Sequence, residues 1–185
     1  MTKRVVGLMT VIAGILAFLY MITVKETSRI PELVTVFAFL LLLEIVAYTD
    51  ARTMTIPDRY SLLSFLIGCA AVFAMPEISL LSRVIGIFSV SVPLLLITLL
   101  VPGAFGGGDI KLMAGCGFFL GAKLCLLSLV FAIFVGGIWG IFLLLCRHKG
   151  RKEHFAFGPF LCIGMLTALF WGQEILDWYL GVLKW

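Results

Sequence analysis

The sequence predicts an all-α integral membrane protein, a single polytopic domain over residues 1–185 with about six transmembrane helices and one short additional helix. Hydrophobic residues make up 62% of the chain and charged residues only 13%, and the mean hydropathy is +1.18. Apolar runs of about 18 residues or more recur, which is the length a helix needs to cross the hydrocarbon core of a bilayer. These runs are continuous, whereas the strands of a membrane barrel alternate apolar and polar residues.

The predicted spanning helices are separated by short polar or turn-forming segments. Pro57 and Pro76 mark two of these breaks, because proline disrupts a helix interior and restricts the residue before it. The stretch 109–120 is apolar but only about 12 residues long, which is too short to span unless neighbouring protein shelters it. The aromatic-rich stretch 173–185 is expected to lie at the membrane interface. The predicted spans are 5–24, 33–49, 60–74, 81–100, 124–146 and 155–171.

Composition also excludes several classes of function. The net charge of +4 comes from basic residues in short interhelical loops, so no nucleic-acid partner is expected. None of the five cysteines forms a CxxC pair, and the sequence therefore predicts neither a zinc site nor a disulfide framework. We expect no metal and no cofactor. Gly117 with Gly121, and Gly136 with Gly140, have the GxxxG spacing that allows helices to pack closely.

The most distinctive stretch is a glycine-rich break at 101–111 that ends with Asp109 at the start of an apolar helix. Glycine permits sharp turns and close backbone approach, and an ionisable residue beside a membrane span is a functional-site hypothesis by default. The candidate residues of this loop and of the earlier polar connection, expected to line the site or contact a substrate, are Gly106, Gly107, Gly108, Lys111, Pro57 and Asp58.

A second carboxylate, Asp50, follows the predicted 33–49 helix. With a cytoplasmic N-terminus, Asp50 and Asp109 emerge on the same side of the membrane. The positive-inside rule favours this orientation, because it places nine basic residues inside and five outside. The inner set is Lys3, Arg4, Arg52, Arg59, Lys111, Arg147, Lys149, Arg151 and Lys152, and the outer set is Lys25, Arg29, Arg83, Lys123 and Lys184.

Two carboxylates held close together share a proton near neutral pH, because both cannot ionise readily. The ionised member can take a proton from water while the protonated member polarises a scissile carbonyl, which is the aspartic protease mechanism. Taken singly, Asp50 and Asp109 could instead cap or end helices. Glu44 lies inside a predicted span and is a candidate for a group that supports the two aspartates.

Three motifs resemble those of the prepilin peptidases, the type IV leader peptidases. The segment Gly106-Gly107-Gly108-Asp109-Ile110-Lys111-Leu112 resembles the family's GxGD motif. Asp50 followed by Ile56-Pro57-Asp58 resembles its first catalytic aspartate and the downstream Pro-Asp pair. Phe157-Gly158-Pro159-Phe160-Leu161 is similar to its PFGP element, with Ala156 where proline is usual. The motifs occur in the family's order and cover most of the chain.

The resemblance implies a GxGD-type intramembrane aspartic endopeptidase with Asp50 and Asp109 as its catalytic pair. It implies cleavage of type IV prepilins or pseudopilins, for pilus assembly or protein secretion, after a glycine that ends a basic leader. The enzyme would be a multi-pass protein of the inner (cytoplasmic) membrane with its site facing the cytoplasm and the bilayer as its other partner. Only four residues precede the first predicted helix and no CxxC occurs, so a short form without the N-terminal cysteine-rich methyltransferase region is expected. Nothing in the sequence specifies an oligomeric state.

Two non-enzymatic interpretations remain open at this level. A small transporter or channel subunit could use Asp50 and Asp109 as proton or cation sites, and would tolerate glutamate at both positions. In a subunit of a secretion apparatus, both acids would be structural.

Overall fold

The computed structural model describes residues 12, 15, 16, 19, 30–146 and 156–183, and within these ranges it contains helices and no strand. The predicted all-α class is therefore confirmed. Four residues of the predicted first helix are described and are helical: Ile12, Ile15, Leu16 and Leu19. The described residues do not include the rest of that helix, the basic loop at 147–154 or the final Trp185. Six helices follow in order: α1 (Ile30–Thr53), α2 (Asp58–Ala74), α3 (Leu80–Leu100), α4 (Gly107–Leu120), α5 (Ala122–Cys146) and α6 (Gly158–Leu183).

Four of these helices are long and apolar enough to cross a membrane: α1, α3, α5 over Ala122–Phe142, and α6 over Gly158–Val182. This confirms a multi-pass membrane protein. Helix α2 has 17 residues, or about 26 Å at 1.5 Å per residue. Helix α4 has 14 residues, or about 21 Å, and is the short helix predicted after the glycine-rich loop.

Helix α4 lies at the centre of the bundle and packs against α2, α3 and α5. Almost every side chain from Leu112 to Leu120 is buried, so this short helix is sheltered by protein and not by lipid. Its Phe119 stacks on Phe39 of α1, with ring centroids 4.0 Å apart. Helix α4 is thus surrounded by the longer apolar helices.

Glycines permit the closest approach of α4 to α3. A Cβ on either Gly117 or Gly86 would collide with the backbone of the other, which confirms the close packing predicted at Gly117. Gly121 instead ends α4 with a φ of 77°, a left-handed conformation that favours glycine. The contact predicted at Gly140 is wrong, because a Cβ there would meet no atom within 4 Å.

Two helices extend well past their predicted ends. Helix α1 continues to Thr53, so Asp50 lies in its last turns and not in a polar connection; Arg52 is favourable at that C-terminus. Helix α6 continues through the stretch predicted to be interfacial, because isolated polar residues do not interrupt helical hydrogen bonding. In that stretch Gln173 donates a hydrogen bond of 3.2 Å to Asp177, four residues on.

Arg83 holds together the end of the bundle opposite the acidic residues. Its side chain is fully buried, and its guanidinium donates hydrogen bonds to backbone carbonyl oxygens at the ends of α2 and α4 and in the turn before α3. Five acceptors satisfy its donors at 2.9–3.3 Å: the carbonyl oxygens of Ala71, Met75, Ile78, Phe118 and Phe119. One side chain thus joins α2, α3 and α4.

Replacing Arg83 by alanine is expected to lower the free energy of unfolding in detergent micelles by at least about 3 kcal/mol, because several buried carbonyls lose their donors. Denaturant titration followed by circular dichroism measures this change. The exposed Arg59 provides the control, since Arg59→Lys should change stability by less than about 0.5 kcal/mol. Equal effects of the two substitutions would contradict the role assigned to Arg83.

Candidate active site

Asp50 is buried at the C-terminal end of α1, with 4% of its surface exposed. Its Oδ2 accepts a hydrogen bond of 2.9 Å from the backbone N–H of Gly158. Gly158 is the first residue of α6, where free backbone N–H groups and the helix dipole favour a negative charge. The carboxylate is therefore held between the end of one helix and the start of another.

Asp109 is the third residue of α4 and is also buried, with 8% of its surface exposed. Its Oδ2 accepts a hydrogen bond of 3.2 Å from the backbone N–H of Gly106, so the side chain caps the start of its own helix. Its Oδ1 is buried and has no hydrogen-bond partner within the described part of the chain. A buried acceptor without a donor is costly, and protonation would convert this oxygen into a donor.

The fold brings the two carboxylates into electrostatic contact, although 58 residues separate them in the sequence. Burial, and then the negative charge of Asp50, raise the pKa of Asp109 from 3.8 to about 6, while the Gly106 N–H lowers it. A carboxyl with a pKa near 6 can hold or release a proton close to neutral pH. The pair thus has the electrostatic coupling expected of two acids that share a proton.

The link between α1 and α2 positions the start of α4. Met54 adopts a positive φ of 51°, and the chain then places the buried Ile56 directly against Gly108. A Cβ at position 108 would lie 2.9 Å from both the Cβ and the carbonyl oxygen of Ile56. Pro57 precedes the first residue of α2 in extended conformation and ends this link. Glycine at 108 therefore allows the turn that carries Asp109 to pack on this link.

Gly107 and Gly108 are in the first turn of α4, so the sequence-based interpretation of both as loop residues is wrong. Their small size permits a helix to begin directly after Gly106, against the neighbouring link. The irregular segment is limited to Val101–Gly106, whose residues are exposed apart from Phe105.

Lys111 forms an ion pair with Asp58, with its Nζ 2.8 Å from both carboxylate oxygens. Both side chains are well exposed, at 58% and 73%, so the pair contributes little to stability. It nevertheless joins the first turns of α4 and α2. Lys111 is thus engaged by Asp58 and not by Asp109.

An aromatic contact joins the segments that lead into α4 and α6. Phe105 and Phe157 meet edge to face, with ring centroids 5.2 Å apart, a favoured geometry for aromatic pairs. Phe105 directly precedes the Gly106 N–H that holds Asp109, and Phe157 directly precedes the Gly158 N–H that holds Asp50. This contact therefore couples the two backbone donors.

Glu44 lies six residues before Asp50 on α1, which places it about 9 Å along the helix axis and about 120° around it. Both of its carboxylate oxygens are buried and accept no hydrogen bond from the described residues.

In the same part of the chain, no three His, Cys, Asp or Glu side chains are grouped so that they could hold a metal ion.

Sequence reasoning did not assign a role to Gly158, Ile56 or Phe105. The Gly-Pro step at 158–159 was a visible signal, because it lies in a motif immediately before an apolar helix. Its function depends on a hydrogen bond to a residue 108 positions earlier, which no local pattern reveals.

The comparisons with known proteins agree on one family. The model of the type IV leader peptidase family matches residues 35–141, a range that contains both aspartates. The prepilin leader peptidase/N-methyltransferase of Bacillus subtilis is 31% identical over 149 residues, which cover 80% of this chain and 60% of that protein. The protein of the same name from Pseudomonas aeruginosa is 31% identical over 136 residues, covering 71% of this chain and 47% of its own length.

A shorter match to the prepilin leader peptidase/N-methyltransferase of Legionella pneumophila has 42% identity over 76 residues, 41% of this chain and 26% of that protein. The chain thus spans 60% or less of the length of these relatives. No solved structure matches it at a comparable significance.

The contact at Gly108 predicts unequal effects for two neighbouring glycines. We expect Gly108→Ala to lower the free energy of unfolding by about 1–3 kcal/mol, because the new methyl group overlaps the Ile56 backbone. Gly107→Ala adds a methyl group with no atom within 4 Å and should be neutral or slightly stabilising within α4. Denaturant unfolding of the two variants gives the comparison, and equal stability would refute the packing described for Gly108.

The pKa of Asp109 predicts a specific pH dependence of stability. Because its folded-state pKa of about 6 lies above the ordinary carboxyl value of 3.8, its contribution to the free energy of unfolding is fully present below about pH 4 and is lost as pH rises through 6. Over this interval, wild type should lose about 3 kcal/mol more unfolding free energy than Asp109→Asn. Parallel unfolding curves across this pH range measure the difference, and identical pH profiles for the two proteins would exclude the shift.

Proposed function

Because the chain belongs to the type IV leader peptidase family, we propose that it is an aspartic endopeptidase that removes leader peptides from type IV prepilins or related pseudopilins. Asp50 and Asp109 are the catalytic pair in this proposal. The observation that carries it is that two buried carboxylates from distant parts of the chain lie within electrostatic range of each other, and one of them has a buried oxygen without a partner among the described residues.

The pair has the groups that peptide hydrolysis requires. As water adds to the scissile carbonyl carbon, one carboxylate takes a water proton, and the protonated carboxyl gives its proton to the carbonyl oxygen. The product is a neutral gem-diol. When the C–N bond breaks, one diol proton returns to the dyad while the proton taken from water passes to the leaving nitrogen. The products are a carboxylic acid and an amine, and the pair of aspartates (the dyad) returns to its original protonation state.

The exposed segment Val101–Gly106 is proposed to hold the substrate extended beside Asp109. A peptide in a helix has its backbone groups paired, so the cleaved segment must be unwound before water can attack its carbonyl. Backbone pairing with an exposed segment is a common way to bind an extended peptide. Gly106 also donates its N–H to Asp109, and this contact supports the proposal that the substrate binds beside that carboxylate.

We further propose that the site faces the cytoplasm from the inner membrane and that cleavage follows the glycine at the end of a basic leader. The end of the bundle that carries the two acids also carries three exposed basic residues, Arg52, Arg59 and Lys111. Their position supports this orientation through the positive-inside rule. An apolar substrate helix would lie in the bilayer and present its leader at the same depth.

Cleavage of a co-expressed prepilin tests this proposal. Wild type should convert the precursor to its mature size, whereas Asp50→Asn and Asp109→Asn should each reduce conversion by at least about 10³-fold, because neither asparagine can exchange the required proton.

Asp177→Asn provides a matched control, because it makes the same chemical change at an exposed position on α6, away from the dyad. All variants should be inserted to the same extent. Normal trimming by either dyad variant, or no trimming by wild type with a matched prepilin, would refute the proposed function.

A further inference from the structure

The backbone N–H of Gly158 is the donor that holds the Asp50 carboxylate, at 2.9 Å. Gly158 begins a helix of 26 residues, so this donor coincides with the partial positive charge of a helix N-terminus. A hydrogen bond to a charged acceptor is stronger than one to a neutral acceptor, and this contact therefore favours the ionised form of Asp50.

The space around Gly158 is shaped by the same carboxylate. A Cβ at position 158 would lie 2.6 Å from Oδ2 of Asp50 and 2.9 Å from its Cγ. No side chain can therefore occupy this position unless the carboxylate or the start of α6 moves. Glycine is required here for close approach to Asp50.

The contacts of Asp109 are different. Its N–H donor is the nearby Gly106, at the longer distance of 3.2 Å, and its Oδ1 is buried without a partner among the residues that the structure describes. Placing the dyad proton on Oδ1 removes the negative charge from a buried carboxyl oxygen that no described donor stabilises. Protonation of Asp109 thus removes an unfavourable feature, whereas protonation of Asp50 would weaken an existing hydrogen bond.

We propose that Gly158 is a positioning residue, whose backbone N–H holds Asp50 as the ionised member of the dyad and leaves the proton on Oδ1 of Asp109. The kinetic consequence of this inference rests on the proposed peptidase function, whereas the assigned protonation states of the two carboxyl groups do not. Asp50 then accepts the proton of the attacking water, and Asp109 gives its proton to the scissile carbonyl oxygen.

Among the described residues, few other ionisable groups lie near Asp50. Asp109 faces it from α4, and the thiol of Cys162 on α6 lies within electrostatic range of both carboxylates. Asp58 on α2 is exposed and paired with Lys111. Glu44, on the same helix as Asp50, is turned about 120° away. Within the described part of the chain, the dyad proton is therefore governed mainly by the two aspartates and their backbone donors.

Infrared difference spectra of the purified full chain test the assignment without a substrate. At about pH 5, below the pKa of about 6 of Asp109, wild type minus Asp109→Asn should show the C=O stretch of a protonated carboxyl. Wild type minus Asp50→Asn should instead show the stretch of an ionised carboxylate. The opposite pattern, or a protonated-carboxyl band in both difference spectra, would overturn the assignment.

The contribution of the Gly158 N–H is tested by replacing residue 158 with glycolic acid, which exchanges the N–H for an ester oxygen and adds no side chain. In the Asp109→Asn background, this exchange should raise the pH at which the Asp50 carboxylate band disappears by about one unit. A shift of this size is expected for the loss of one hydrogen bond to a charged group. An unchanged titration would eliminate the role of this donor.

Kinetics connect the assignment to catalysis. The ester variant and Gly158→Ala should lower kcat for a prepilin peptide by about tenfold or more with KM changed less than about threefold. Gly137→Ala is the control, because a Cβ there meets no atom within 4 Å. A raised KM with unchanged kcat would contradict a positioning role. If wild type cleaves nothing, the proposed function fails while the infrared assignment stands; normal cleavage with reversed spectra defeats only this inference.

Discussion

The structure depends on holding two buried carboxylates within electrostatic range of each other at one end of a membrane bundle. Like charges at short range in a poorly hydrated site repel strongly, so the arrangement requires compensating donors. The chain supplies them from backbone: Gly158 at the start of α6 for Asp50, and Gly106 at the start of α4 for Asp109. Backbone donors at helix starts stabilise negative charge without introducing a cationic side chain that would neutralise the pair.

The opposite end of the bundle is fixed by one buried cation. Arg83 joins the last turns of α2 and α4 to the start of α3, so α4 is held at both of its ends. Because α4 is short and enclosed by protein, its position is determined by packing and these polar contacts and not by bilayer thickness. A central helix held in this way keeps Asp109 at a fixed depth relative to Asp50.

Much of this arrangement could be predicted from sequence, because apolar run length and the short segment after the glycines specify the helix content. The same-side location of Asp50 and Asp109 followed from counting helices. The continuation of α1 past Asp50 was missed, since polar residues near a helix end do not reveal whether the helix has stopped. The packing of Ile56 on Gly108 and the Gly158 donor were also missed, because they depend on tertiary distances between remote residues.

The most direct test of the account is whether positions 50 and 109 adjoin in the membrane-embedded protein. In a variant whose five native cysteines are replaced by alanine, cysteines at both positions allow a short bifunctional thiol reagent to link the two fragments produced at a protease site inserted in the turn between α2 and α3. We expect linked fragments after proteolysis of the Asp50→Cys/Asp109→Cys protein and separate fragments from each single variant. If the double variant is cut into separate fragments while an Asp58→Cys/Lys111→Cys pair is linked efficiently, the two acids do not meet and the account is wrong.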